Sequence, residues 1–446
     1  MWGSTRLPAT PLSLAALLAG CHRPPQEPQP PDIVGWLQGY VAIDSSTVEG
    51  EARAARYLAD LLDEERIRHE ILVDPDGHSS VWAEVGPPEG DALLLLSHLD
   101  VVPAGDGWSK PPFSAEVEDG VLWGRGTIDA KGLGIAHLAA LISLRDSAAD
   151  LPRRVAFFAA ADEEEGGLHG TGWWVDHRPD LFEPVVGVLA EGGYNRAHQD
   201  RVAWWGVEVA QKTALWVRAS CARPETLLLG LDRLLDRPFH WRLIDPVRRH
   251  LAATERLGLG PDLARLEADL VGGDEPHIPN RGLETLLTDS LQVNMLELAN
   301  GGAEASLDLR LLPDRDPDGA LEELRSELGP AVALETLLAG PRAAPSPWDG
   351  SIVAAIRATV GSEAAVIPYF IAGVTDSRFF RARGVPAYGF SPFLLDGTYA
   401  ATVHAADERI PVAEIEDGAE RMKRIVDSFL SSGGREGRAL APAPTR

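Results

Sequence analysis

The sequence predicts an α/β fold that carries an inserted, smaller α+β domain. Three observations point there. Apolar runs recur at 92–96, 155–161, 185–190 and 385–390, each of strand length and apolar throughout, as strands covered on both faces read. Between the first two lies KGLGIAHLAALISLRDS, with the pattern of an amphipathic or buried helix; strands alternating with helices make an α/β sheet. From 206 to 312 the texture changes. TALWVRAS and EASLDLRLL alternate as half-buried strands, and ETLLLGLDRLLDR and DPVRRHLAATERLGL have helical spacing.

The elements follow in order. Residues 1–21 pair one positive charge, Arg6, with a short apolar run ending in Leu18-Ala19-Gly20-Cys21. The run is too short to span a bilayer and fits a secretory signal. Its end resembles a bacterial lipobox, which implies an exported chain, lipid-anchored at Cys21 in the cell envelope or periplasm. Residues 22–31 are a Pro-rich tether. Residues 32–205 and 313–431 form two parts of one domain around the 206–312 insertion. Its first helix carries EARAARYLADLLDEE, and 432–446 is a frayed tail.

Composition narrows the function. At 446 residues the chain is long enough for two or three domains, and its net charge of −26 excludes nucleic acid as a partner. Two cysteines, Cys21 and Cys221, exclude a disulfide framework and a thiolate zinc cluster. Cys221 reads as a small buried apolar residue. Trp173-Trp174 and Trp204-Trp205 read as packing. His69, His78, His137, His169 and His177 read as surface or helix residues.

Chemistry gathers where the apolar runs end. The first ends in Ser97-His98-Leu99-Asp100, the second in Asp162-Glu163-Glu164-Glu165, the third in Glu191-Gly192-Gly193. In open α/β sheets ligands bind at the carboxyl ends of strands, so three strand ends deliver metal-type ligands to one edge. DGVLWGRGTIDAKGLG adds Asp129 before a helix start, and ATVHAADERIPV adds His404 in a polar loop. Two imidazoles with several carboxylates suit zinc. Side chains at i and i+2 of an extended chain face one way, so Asp100 is expected to hold the His98 ring from behind.

The segments SHLDVVP, WGRGTIDAKG, ADEEEGG, AEGG, GVTDSRFF and VHAADERI, in that order, resemble the di-zinc metallohydrolases that include aminoacylase, acetylornithine deacetylase, succinyl-diaminopimelate desuccinylase and glutamate carboxypeptidase. With GVPAYGFSP the wording is nearest the carboxypeptidase S and N-acyl-amino-acid hydrolase branch. The resemblance implies a zinc-peptidase-like catalytic domain with a central mixed sheet flanked by helices, and a lid or dimerisation domain at the insertion. It implies two Zn2+ per chain, replaceable by Co2+ or Mn2+. His98 and Glu191 would hold one, Glu164 and His404 the other, and Asp129 would bridge them, with a cis Asp129–Ala130 peptide. Glu163 would move the proton between the attacking water and the leaving amine, and Asp162 and Glu165 would be ordinary polar neighbours. Arg310 and Arg378 would meet a substrate carboxylate. Glu191 goes with the deacylase and carboxypeptidase members, so the implied substrates are N-acyl-amino acids or small peptides with a free carboxylate. A homodimer through the lid is also implied, with no membrane contact beyond the anchor.

Two segments depart from that pattern. Relatives carry Gly-His-x-Ser in the insertion, where this chain reads WVRASCARPETLLLGL, without the histidine. Their Asn-x-x-Pro stretch is LANGGAEASLDLR here. The alternative reading is therefore a catalytically impaired di-metal binding or scaffold protein of the same fold.

Overall fold

The computed structural model describes residues 31–198, 201–236, 240–272, 276, 281–299 and 301–432. The leader, Cys21, nearly all of the tether and the tail beyond Ser432 lie outside the described residues.

Helices α1 (Ile33–Val41) and α2 (Val48–Glu64) open the chain. The Thr47 hydroxyl accepts the Gly50 N–H at 3.2 Å, filling one of the donor groups that a helix start leaves unpaired. Strands β1 (His69–Val73), β2 (Ser79–Val85) and β3 (Ala92–His98) precede the short pair β4 (Val117–Glu118) and β5 (Val121–Trp123). Helix α3 (Lys131–Ser143) leads to β6 (Arg154–Ala160), β7 (Val185–Ala190), β8 (Tyr194–His198) and β9 (Arg201–Gln211). Next come β10 (Thr213–Cys221), β11 (Ser290–Ala299), β12 (Gly302–Leu311) and β13 (Ala333–Ala339), then β14 (Ala365–Ile371), β15 (Ala387–Gly389) and β16 (Arg409–Pro411).

The large sheet is mixed and runs β1-β2-β6-β3-β7-β15-β9-β14, with β8 on β9. Its centre carries the site. β6, β3 and β7 are neighbours and parallel, so their carboxyl ends share one edge. Both faces of this centre are covered. Leu93, Leu95, Val155 and Phe157 join the core under α1, α2, α3 and the helix Val412–Ser431, while Leu94, Leu96, Ala156 and Phe158 join the core of Trp174, Phe182 and Phe380. That alternation is why the runs are apolar at every position. Each fully buried leucine contributes roughly 1.5–3 kcal/mol.

The small sheet runs β11-β12-β10-β13. Cys221 packs in its core with Leu227 and Ala303. Strand membership places the change of sheet differently from the expected 206–312. β9 lies in the large sheet and β13 in the small one, so the small sheet spans 213–339. Only Lys212 separates β9 from β10. One continuous strand-like stretch thus changes sheet in mid-course, which an apolar pattern does not mark. Trp174, Trp204 and Trp205 are buried, as packing residues should be. His137 is a helix residue, on α3, and is fully buried, with neither ring nitrogen hydrogen-bonded among the described residues.

Candidate metal centre

Residues at or just past the carboxyl ends of the central strands, His98 ending β3, Glu163 and Glu164 in the loop after β6 and Glu191 directly after β7, turn their side chains to a common point. The His98 Nε2 atom lies 3.1 Å from Asp129 Oδ1 and 3.6 Å from Glu191 Oε2. The other Asp129 oxygen, Oδ2, lies 3.0 Å from His404 Nε2, which is 3.1 Å from Glu164 Oε1. Asp129 thus faces a different imidazole with each oxygen. Donor atoms of His98, Asp129 and Glu164 lie within 4.8 Å of one another, as do those of His98, Glu163 and Glu191. All six residues expected at the centre are brought together.

The loops that carry them are tied down from behind. The ring of His98 is held at Nδ1 by the Asp100 backbone carbonyl at 3.0 Å, with Asp100 Oδ1 further off at 3.5 Å. β3 ends at His98, so strand alternation does not extend to Asp100. Its carboxylate instead accepts the Glu164 N–H at 3.0 Å, joining the two metal loops. The Asp129–Ala130 peptide is cis. Lys131 is buried and donates to the carbonyls of Tyr40 and Ile43 at 3.1 and 2.6 Å; burial lowers its pKa to about 7. Asp162 is more than a polar neighbour: it is buried, and its Oδ2 accepts the His169 N–H at 2.8 Å, closing the Glu163–Glu164 loop. Gly167, with φ +67°, completes that loop, where a Cβ would stand 2.4 Å from Asp376 Oδ1.

Glu408 was not found by sequence reasoning, although it lies within the quoted VHAADERI. It is fully buried. Its carboxylate accepts the N–H groups of Gly126, Ile128 and Asp129 at 2.9, 2.8 and 3.2 Å and pairs with Arg125 Nη1 at 2.8 Å. Arg125 Nη1 also donates to Ala405 O at 3.1 Å. One carboxylate therefore fixes the Asp129 loop to the His404 loop across some 280 residues of chain. Glu408→Gln is expected to weaken metal binding about 10–100-fold, as outer-sphere changes do. It should also destabilise the fold by about 3 kcal/mol or more by breaking a buried pair. Competition with a chelator measures the first effect and thermal melting the second. An unchanged metal affinity would contradict the positioning role.

The crowded carboxylates and imidazoles of the centre shift one another's pKa values. Hydrogen bonds that His404 donates to the carboxylates of Asp129 and Glu164 push its pKa up to about 10. Burial works to lower His98, but Glu191 and the hydrogen-bonding carboxylates hold it well above its usual value. Burial pushes Glu191 up to about 7, and burial with the neighbouring Glu191 raises Glu163 well above the usual carboxylate range. The two imidazoles stand where cations belong, among four carboxylates. The donor set, with a carboxylate between two Nε2 atoms and a ring Nδ1 held by a carbonyl, fits a pair of divalent ions that would displace those protons.

Two cavities meet here. One, of about 330 Å³, is lined by Asp129, Glu163, Glu191 and His404 with apolar side chains. The other, of about 540 Å³, reaches the small sheet and is lined by Glu163, Glu164, Gln292, Asn294, Arg310 and Arg378. Arg310 is gripped by Asp308 at 2.8 and 2.9 Å. Arg378 is buried and donates through Nη2 to Gly166 O at 2.6 Å, while its Nε and Nη1 have no hydrogen-bond partner among the described residues. Gln292 and Asn294 were also missed. The alternation in SLQVNMLEL was a signal for Gln292, but Asn294 stands at a register shift between Val293 and Met295, the kind of irregularity that re-aims a side chain.

The sequence profile of peptidase family M20/M25/M40 matches residues 94–428. The chain belongs to that family. It is accordingly a metal-dependent hydrolase of amide bonds, and the gathered candidate metal-binding residues do not favour the non-enzymatic alternative. Aminoacylase-1 of Homo sapiens is 28% identical over 362 residues, covering 77% of this chain and 81% of that protein. Succinyl-diaminopimelate desuccinylase of Methylobacterium sp. (strain 4-46) is 28% identical over 421 residues, covering 90% and 97%. Among solved structures, the M20 family metallo-carboxypeptidase Sso-CP2 from Sulfolobus solfataricus shares the fold with a TM-score of 0.71 at 20% identity, covering 90% of this chain and 100% of that one. Human carnosine dipeptidase 1 does so with a TM-score of 0.66 at 18% identity, covering 90% and 97%.

Proposed function

We propose that this M20 hydrolase holds two Zn2+ per chain and cleaves the amide bond of N-acyl-amino acids or small peptides that bear a free carboxylate. The observation that carries the reading is Asp129, whose two oxygens face His98 and His404 at 3.1 and 3.0 Å. His98 and Glu191 would hold one ion and Glu164 and His404 the other, with Asp129 facing both positions. Ions held there would supply Lewis-acid chemistry, polarising the scissile carbonyl and lowering the pKa of water. Glu163, raised by burial and by Glu191, takes the proton of the attacking water and passes it to the leaving amine. Arg310 and Arg378 face the substrate carboxylate from the wider cavity, and Asp308 and Gly166 fix their orientation.

The test is a panel of N-acetyl-amino acids, dipeptides and their C-terminal amides, offered to the zinc-loaded protein. Free acids should be turned over, and the amides at least about tenfold more slowly, since a hydrogen bond to a charged group contributes about 1.5–3 kcal/mol. Equal rates for acids and amides would remove the arginines from substrate binding. No turnover at all would sink the proposal.

A further inference from the structure

We infer that the acyl side of the substrate is apolar and uncharged, and that acidic acyl groups are rejected. The inference rests on the amidohydrolase reading above and names the substrates of that same site. The two cavities share Glu163, Glu164, Gly373, Val374 and His404, so a substrate whose amide lies at the metal centre extends one end into each. Their walls differ in charge. The wider cavity shares Glu163 and Glu164 but adds Arg310 and Arg378 with the amides Gln292 and Asn294. Asp308 there is taken up by Arg310, and Arg378 keeps Nε and Nη1 without a hydrogen-bond partner among the described residues. The narrower one is walled by Ile128, Leu133, Tyr369, Ile371, Phe393 and Val403, and among the described residues neither lysine nor arginine lines it.

Charge accounting decides which end goes where. Asp129, Glu163, Glu164 and Glu191 bring four carboxylates to the narrower cavity, as much negative charge as two divalent ions neutralise. An acyl carboxylate entering there would find no spare cation, and a buried unpaired charge is strongly disfavoured. The substrate carboxylate therefore takes the arginine side, and the acyl group lies against Leu133, Ile371 and Phe393. At about 330 Å³ the space is at the small end of ligand pockets, enough for a medium aliphatic or single-ring acyl group. The two kinds of relative named above differ by name in this respect, aminoacylase against succinyl-diaminopimelate desuccinylase, and the apolar wall places this chain away from succinyl substrates.

The experiment compares N-acetyl-, N-octanoyl-, N-phenylacetyl- and N-succinyl-L-alanine as substrates of the zinc-loaded full chain. Expected is a kcat/KM for octanoyl or phenylacetyl at least about tenfold above acetyl, the low end of what one added methylene supplies in an apolar pocket. Succinyl should fall at least about tenfold below acetyl. Succinyl equal to or above octanoyl would overturn the inference. Binding of the same four compounds to Glu163→Gln, by calorimetry, separates the two claims. If nothing is hydrolysed, the proposed function fails, and the binding order still decides the acyl preference by the same criterion. A gain-of-function variant guards against trivial loss. Ile371 is half-buried at the end of β14, and Ile371→Arg puts a cation in the narrower cavity. The succinyl-to-octanoyl ratio should then rise at least tenfold, and an unchanged ratio in a folded variant would contradict the placement.

Discussion

Glu163→Gln is expected to lower kcat by about 10²–10⁴-fold, the range of a lost general acid–base group, while the metal content stays at the wild-type value. The two halves of this result follow from different geometry. Glu163 stands beside Glu191 in a buried pocket that disfavours its charged form, which suits a group that must accept a proton and release it. The ligands of the centre do not depend on it: Glu164 accepts His404 at 3.1 Å, and Asp129 lies between both imidazoles. Glutamine has the same size and cannot carry the proton. Turnover assays with metal analysis on one preparation check both halves. Turnover near wild type would move the base elsewhere in the cluster. Loss of metal along with activity would make Glu163 a ligand, as its proximity to His98 and Glu191 also permits.

The second large effect is at Asp129. Asp129→Ala should bring metal content below one ion per chain and abolish turnover at least as completely as Glu163→Gln, because in the proposed centre each ion would lose an Asp129 oxygen. The local charge explains why one residue weighs so much. Hydrogen bonds to His404 and His98 hold the Asp129 carboxyl far below the usual range, overcoming a burial penalty of opposite sign. Without it the two histidines lose their common acceptor. The fold should survive, since Asp129 sits on a loop whose backbone N–H groups are held by Glu408. Far-UV circular dichroism verifies folding and metal analysis gives the stoichiometry. A variant that still binds two ions would show that Asp129 does not bridge.

The centre was legible because its chemistry is local to each motif. His98, Glu163, Glu164 and Glu191 each follow an apolar run, and parallel pairing of β6, β3 and β7 converts that into one shared edge. Strand alternation stops with β3, so Asp100 holds the His98 ring from behind chiefly by its carbonyl, at 3.0 Å, with its carboxylate at 3.5 Å. Glu408 was hidden for another reason. A glutamate in a polar loop looks like any solvated charge until a partner loop some 280 residues away closes over it. The same holds for Glu208 on β9, fully buried and paired with Arg381. The small sheet was read as strands and helices but not placed, because β9 passes into β10 through a single residue. Asn294 lines the wider cavity from a register shift in β11, which no alternating pattern predicts.

One measurement bears most directly on a paired metal centre bridged by Asp129: zinc bound per chain by the wild-type protein at neutral pH, after chelation and reloading, with turnover of an N-acyl-amino acid followed alongside. The expected result is two zinc ions per chain, with turnover lost on chelation and restored on reloading. Fewer than one ion per chain, or turnover indifferent to chelation, would contradict it.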